Sequence, residues 1–251
     1  MTSRAAADDF KPATPRQRLL TICAWGVHLY TALGAALGLI AIYSAAIHDF
    51  RASFLAMGAA TIIDSSDGPL ARLLMVKTRI PTFDGALLDN IVDYLTYTVA
   101  PVFLMLEAGL IPGSRLGLLL ACFVMLASVY GFCRTNAKTA DNYFLGFPNY
   151  WNLVAFYLFC LGLGTIFNVA VLLILSVMVF VPLKYIYPNR TVPLRPLTLT
   201  LGIIWAAVTF VMLPMLPAVN SLMLAVSLSF IVYYLVASFA LHARAMLRIA
   251  R

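Results

Sequence analysis

Long apolar blocks, broken by short polar turns, run through the whole chain. Residues 19–47 carry no charge apart from the titratable His28, and residues 116–133, 142–183 and 196–241 carry none. A helix needs about 20 predominantly apolar residues to cross a bilayer, so the last two blocks are each long enough to cross twice. Both contain suitable breaks, at Gly162, Gly164 and Asn168 in one and at Pro214, Pro217 and Asn220 in the other. The pattern predicts eight spans, at residues 19–47, 52–76, 86–108, 116–134, 149–165, 167–186, 197–213 and 218–241. The blocks lack the strict apolar/polar alternation of a membrane barrel, and lipid leaves a helix as the other way to satisfy the backbone. The expected fold is therefore all-α, a polytopic transmembrane helix bundle. One membrane-embedded unit is expected over residues 19–251, preceded over residues 1–18 by a basic arm or short interfacial helix.

Composition strengthens this reading. The chain is 63% hydrophobic and 11% charged, against about 45–50% apolar and about 25% charged in soluble domains. Every Lys and Arg except Arg51 and Arg115 falls on the tails and turns that share a side with the N-terminus. The positive-inside rule makes that side cytoplasmic and puts both termini there. The net charge of +7 is accounted for by topology and lipid headgroups, with no nucleic-acid partner required. Cys23, Cys122, Cys133 and Cys160 show no C-x-x-C spacing and lie in or beside apolar spans, as packing residues do.

The acidic residues carry the chemistry. Five of the nine aspartates, Asp64, Asp67, Asp84, Asp89 and Asp93, fall in one stretch, mostly within otherwise apolar helices. A carboxylate at the centre of a membrane helix costs about 2.5–3.5 kcal/mol on insertion scales and marks a functional position. Asp64, Asp67, Gly68 and Ala71 follow i, i+3, i+4, i+7 spacing on one helix face, with Arg72 at its edge. Gly85, Asp89 and Asp93 follow i, i+4, i+8 on the next helix. Facing each other, the two helices would gather four carboxylates, which cannot all stay ionised without cations. Oxygen-only ligands favour a hard ion such as Mg²⁺ or Mn²⁺. Ion pairs with Arg72, Lys77 and Arg79 are the alternative. The small Gly68 and Ala71 on the same face leave room for a ligand, although they also suit close helix packing.

Read in order, the stretch is Asp64-x-x-Asp67-Gly68-x-x-Ala71-Arg72, twelve residues, then Gly85-x-x-x-Asp89-x-x-x-Asp93. It resembles the signature of the CDP-alcohol phosphotransferase family, in which the spacer is usually about eight residues. A longer spacer is associated with one bacterial branch of that family, whose acceptor alcohol is choline. The runs RIPTFDGALLDNIVDYLTYTVAP (79–101), YGFCRTNAKTADNYFLGFPNYWN (130–152) and VPLKYIYPNRTVPLR (181–195) resemble the same branch. The likeness extends from about Trp25 onward. Eight spans fit that branch too, the core family fold having six membrane helices.

The resemblance implies a bacterial inner-membrane enzyme, multi-pass and homodimeric, that transfers the phosphatidyl group of CDP-diacylglycerol to choline and releases CMP. It implies two divalent ions, Mn²⁺ or Mg²⁺, held by Asp64, Asp67, Asp89 and Asp93, with Asp93 also acting as the base. Gly68, Ala71, Arg72 and Gly85 would line the CDP-diacylglycerol pocket. Thr31 and Gly34 on the first span, being small, would let that helix approach the nucleotide, or simply pack.

Choline is a cation that aromatic cages recognise through cation–π attraction. The candidates are Tyr150, Trp151 and Tyr187, although Tyr and Trp also gather at membrane interfaces for their own reasons. Asp141 would supply a counter-charge or pair with Lys138. Other family acceptors, such as serine, inositol phosphate or glycerol phosphate, stay open at this point. A phosphorylated acceptor would need a basic cluster, for which Arg134 and Lys138 are available. A cation transporter or a lipid-binding scaffold is the alternative from outside the enzymes.

Overall fold

The computed structural model of the chain describes residues 14–137, 139, 141–188 and 191–249. Lys138, Arg190, Arg251 and most of the expected N-terminal arm lie outside them. The first helix, α1, runs Pro15–Ala46 over 32 residues and so takes in the end of that arm. Its start is written in the sequence. Thr14 accepts a hydrogen bond from the Gln17 backbone N–H while Gln17 Oε1 accepts one from Thr14 N, and Pro15 follows at the first helical position. α2 (Phe50–Leu73) opens on Asp49, whose carboxylate accepts from Ala52 N. α1 and α2 form the most extensive helix pair, tied near their turn by Ser53 Oγ donating to the Ala41 carbonyl at 2.8 Å.

A short helix, α3 (Val76–Arg79), leads to α4 (Gly85–Asp93). α4 continues without a break into a π-helical turn, Tyr94–Val99, and then α5 (Ala100–Glu107). Residues 85–107 thus form one rod. Its α5 part is the centre of the main core, with Ala100, Val102, Leu104 and Met105 essentially fully buried. α6 is Arg115–Cys133, and a helical hairpin follows from α7 (Trp151–Leu161) and α8 (Thr165–Met178). Gly162 and Gly164 make its turn, both with positive φ, which only glycine adopts without cost. α9 (Arg195–Met212) ends in a 3₁₀ turn, Leu213–Met215, and α10 (Ser221–Ile249) closes the chain.

The bundle is the expected polytopic one, and each of the eight predicted spans contains a helix, although the sixth, 167–186, is helical only as far as Met178. Among the described residues, four helices are long and apolar enough to cross a membrane by length and composition alone: Pro15–Ala46, Arg115–Cys133, Arg195–Met215 and Ser221–Arg244. α2 and the 85–107 rod carry the acidic residues instead. α7 and α8 have 11 and 14 residues, about 16 and 21 Å at 1.5 Å per residue, short of the ~30 Å hydrocarbon layer. Large apolar side chains such as Leu29, Leu118, Leu119, Ile166 and Ile203 are exposed on the outside of the bundle, as a lipid-facing surface requires.

The sequence places a helix over residues 167–186, but α8 stops at Met178. Pro182 lacks the N–H that a continuing helix needs and biases Val181 towards extended backbone. The chain then forms strand β2 (Lys184–Ile186), antiparallel to β1 (Tyr143–Leu145), with Phe144 opposite Tyr185. Arg134 pins this two-stranded sheet to the end of α8, its Nη1 donating to the Leu145 and Val179 carbonyls.

Two glycines set how close α1 lies to the rod. A Cβ on Gly34 would meet Val92 Cγ1 at 2.5 Å, and one on Gly38 would meet Leu95 Cδ2 at 2.8 Å. Gly34→Leu is therefore expected to force the helices apart and cost about 1–3 kcal/mol, as overpacked cores do. Gly26, with open space around it, should accept alanine without loss. Paired thermal melts in detergent check the contrast.

Candidate active site

α2 carries Asp64, Asp67, Gly68, Ala71 and Arg72, and α4 carries Gly85, Asp89 and Asp93. α1 packs against both helices and forms the third wall. Asp64, Asp89 and Asp93 can each present a carboxylate oxygen within 4.8 Å of the others. Three carboxylates this close repel one another unless positive charge lies between them. An all-oxygen, all-anionic donor set fits a hard divalent cation.

Asp67 stands apart from that triad. It is buried, 6% exposed, and its Oδ2 accepts a hydrogen bond from Thr31 Oγ1 at 2.7 Å. Together with Asp89 it faces a cavity of about 690 Å³. Thr31, Gly68, Ala71, Arg72 and Gly85, the residues expected to hold the lipid nucleotide, all line this cavity. Asp89 belongs to both features and joins the carboxylate triad to the cavity. Lys77 adds a second cation to the lining, whereas Arg79 directs its Nε–H to the Leu74 carbonyl. Asp84, the fifth aspartate of the stretch, also lines the cavity but has a capping role. Its Oδ1 accepts from Ala86 N and Leu87 N and caps α4.

Tyr97 is a site residue that the motif does not include. Its hydroxyl donates to Asp64 Oδ2 at 2.7 Å. The π turn that contains it explains how it gets there. Asp89, Asp93 and Tyr97 are spaced by four, and a regular α-helix would rotate each about 40° further round than the last. The wider π turn swings Tyr97 back to the aspartate side, and such turns recur at functional sites. The spacing was visible in the sequence, but the π turn was not. Tyr97→Phe is expected to lower metal affinity by about 10–100-fold, as loss of a partner that orients a ligand does. Mn²⁺ titration followed by electron paramagnetic resonance checks it.

The three aromatic candidates divide. The Tyr97 and Tyr150 rings lie 6.4 Å apart, and Tyr150 is close enough to Asp64, Asp93 and Tyr187 to interact with them electrostatically. Tyr187 follows β2 and stacks on Phe144 of β1 at 4.4 Å. Trp151 is elsewhere. It is fully buried in the core, its Nε1 donating to Ser128 Oγ at 2.7 Å, with Phe147 against its ring. Helical rotation of about 100° per residue turns it away from the side that Tyr150 faces. Asp141 is also accounted for. It pairs with Lys184, and that ammonium, helped by Thr139, holds the carboxyl below the usual carboxylate range. Arg134 donates from Nε to Asn136 Oδ1 as well as from Nη1 to the Leu145 and Val179 carbonyls, so it serves structure here.

Fold and site together define a polytopic membrane protein with a carboxylate cluster joined through Asp89 to a cavity of about 690 Å³. No family model matches the chain. Curated relatives do. A phosphatidylcholine synthase of Legionella pneumophila is 37% identical over 223 residues, covering 86% of this chain and 87% of that protein. One of Mesorhizobium japonicum is 37% identical over 211 residues, covering 82% and 78%. One of Borreliella burgdorferi is 39% identical over 183 residues, covering 73% and 78%. The chain belongs to the phosphatidylcholine synthase family, within the CDP-alcohol phosphotransferases.

Proposed function

We propose that the protein transfers the phosphatidyl group of CDP-diacylglycerol to choline, forming phosphatidylcholine and CMP. The observation that carries this reading is the meeting of Asp64, Asp89 and Asp93, of which Asp89 also lines a cavity shared with Arg72 and Lys77, in a chain similar over most of its length to phosphatidylcholine synthases.

Asp64, Asp89 and Asp93 would hold one divalent ion, and Asp67 with Asp89 a second, Mg²⁺ or Mn²⁺ in either place. Such ions neutralise charge on the transferred phosphoryl group. Arg72 and Lys77 attract the diphosphate, Arg72 with the fork geometry that suits phosphate oxygens. Gly68 leaves the backbone approachable, whereas the space beside Gly85 is taken by the His28 ring. Thr31 and Tyr97 orient Asp67 and Asp64 through their hydroxyls. The choline oxygen attacks the phosphorus that bears the diacylglycerol. The bond from that phosphorus to the CMP oxygen breaks, and the choline proton passes to an Asp93 carboxylate oxygen.

Tyr150 and Tyr187, with Tyr97 beside Tyr150, supply the electron-rich faces that a quaternary ammonium needs. A phosphorylated acceptor finds less support, because Arg134 is committed to the Leu145 and Val179 carbonyls. The distribution of basic residues supports a cytoplasmic-membrane enzyme with its motif and both termini on the cytoplasmic side.

Supplying CDP-diacylglycerol with choline, serine, inositol phosphate or glycerol phosphate in turn tests the assignment. Choline alone should yield a lipid product. A product from serine or a phosphorylated alcohol instead would retain the carboxylate site and remove the choline reading.

A further inference from the structure

His28 lies one turn before Thr31 on α1 and lines the same cavity. Its side chain is 8% exposed, and Nε2 is buried without a hydrogen-bond partner. Buried polar side-chain atoms are nearly always paired, so each exception needs a reason. The ring is closely held, since a Cβ on Gly85 would meet its Cε1 at 2.8 Å. Phe83, in the spacer between Arg72 and Gly85, also lines the cavity and lies on the imidazole with centroids 4.4 Å apart. Trp25 stands edge-on behind the pair, 5.7 Å from His28 and 5.4 Å from Phe83. Phe83 is 37% exposed, so its ring remains accessible.

The cavity therefore combines three chemistries. Asp67 and Asp89 are carboxylates suited to metal, Arg72 and Lys77 are cations suited to phosphate, and His28 and Phe83 offer an unpaired ring nitrogen beside an aromatic face. A nucleoside diphosphate presents the matching set: metal-binding phosphate oxygens, negative charge, and a flat heterocycle with a hydrogen-bonding edge. Building on the proposed use of a CDP-lipid, we propose that His28 and Phe83 form its nucleobase subsite, Phe83 stacking on the base and His28 hydrogen-bonding to its edge, with Trp25 bracing both. Stacking tolerates any base, so selection of the base falls to His28.

CMP binding to the purified full-length protein with Mn²⁺ present, measured by titration calorimetry, tests the subsite. His28→Ala and Phe83→Leu are expected to weaken CMP about 10–100-fold, the range typical of a lost stacking partner. KM for CDP-diacylglycerol should rise in parallel, while KM for choline and Mn²⁺ affinity stay within about twofold. Phe83→Trp should restore binding by keeping an aromatic face, and His28→Gln should restore part of it by keeping a hydrogen-bonding group. Phe83 is partly exposed in a turn, so Phe83→Leu provides a folded variant even if His28→Ala fails to fold. CMP affinity unchanged in Phe83→Leu, or CMP, Mn²⁺ and choline affinities all falling together, would overturn the subsite. Failure of the wild-type protein to bind CMP would overturn the nucleotide reading and the subsite with it. A wild type that binds CMP, with variants that bind it equally well, would overturn the subsite alone.

Discussion

Asp93→Asn is expected to lower turnover by about 10²–10⁴-fold, the usual contribution of a positioned general base. The amide keeps the size of the side chain and one oxygen at the position shared with Asp64 and Asp89, but it no longer accepts the alcohol proton. CMP affinity should change only a few-fold, because Asp93 does not line the cavity where the nucleotide is expected. The comparison is kcat for CMP release at saturating Mn²⁺ against the dissociation constant for CMP. Turnover within about threefold of wild type would move the base to another group. A loss that extra Mn²⁺ fully reverses would make Asp93 a ligand alone.

Asp89→Ala should be the most damaging single change. Asp89 is the one carboxylate that belongs to both the triad and the cavity lining, so its removal weakens metal binding and nucleotide binding together. Charge stabilisation by a bound metal contributes several kcal/mol to phosphoryl-transfer transition states, and about 4 kcal/mol corresponds to roughly 10³-fold in rate. CMP release should therefore drop by at least about that factor, with Mn²⁺ affinity falling in parallel. Asp84→Ala is the informative control. Asp84 lies in the same acidic stretch yet caps α4, so it should cost about 0.5–2 kcal/mol of stability and leave Mn²⁺ binding intact. Equal loss of metal binding in both variants would mean that general acidity, not the particular carboxylates, holds the ion.

The sequence discloses the bundle and the carboxylates for one reason: both are extremes of composition. Uncharged stretches such as residues 196–241 have no stable solution but helices in lipid. Aspartates inside such helices stand out against the cost of putting them there. The motif face on α2 and α4 follows from helical spacing and is found as expected, except that Asp67 pairs with Thr31 rather than joining the triad. The features that were not legible depend on local geometry. The β1/β2 sheet involves three residues per strand within or beside an apolar block, too few for a period-two pattern to register. The π turn at Tyr94–Val99 changes the rotation of the rod without any compositional mark, so the pairing of Tyr97 with Asp64 has no signal in the sequence. Trp151 and Tyr150 are adjacent aromatics near an expected interface, and only their packing shows Trp151 anchored in the core and Tyr150 beside Tyr97. His28 looks isolated in sequence, and it acquires a role only where α1 meets Gly85 and Phe83.

Release of CMP from CDP-diacylglycerol by the purified protein, measured with choline before and after chelation of divalent metal, tests the central claim most directly. Release should require choline, stop on chelation and return when Mn²⁺ or Mg²⁺ is restored. Release that persists at full rate after chelation, or no release with choline under any metal condition, would contradict it.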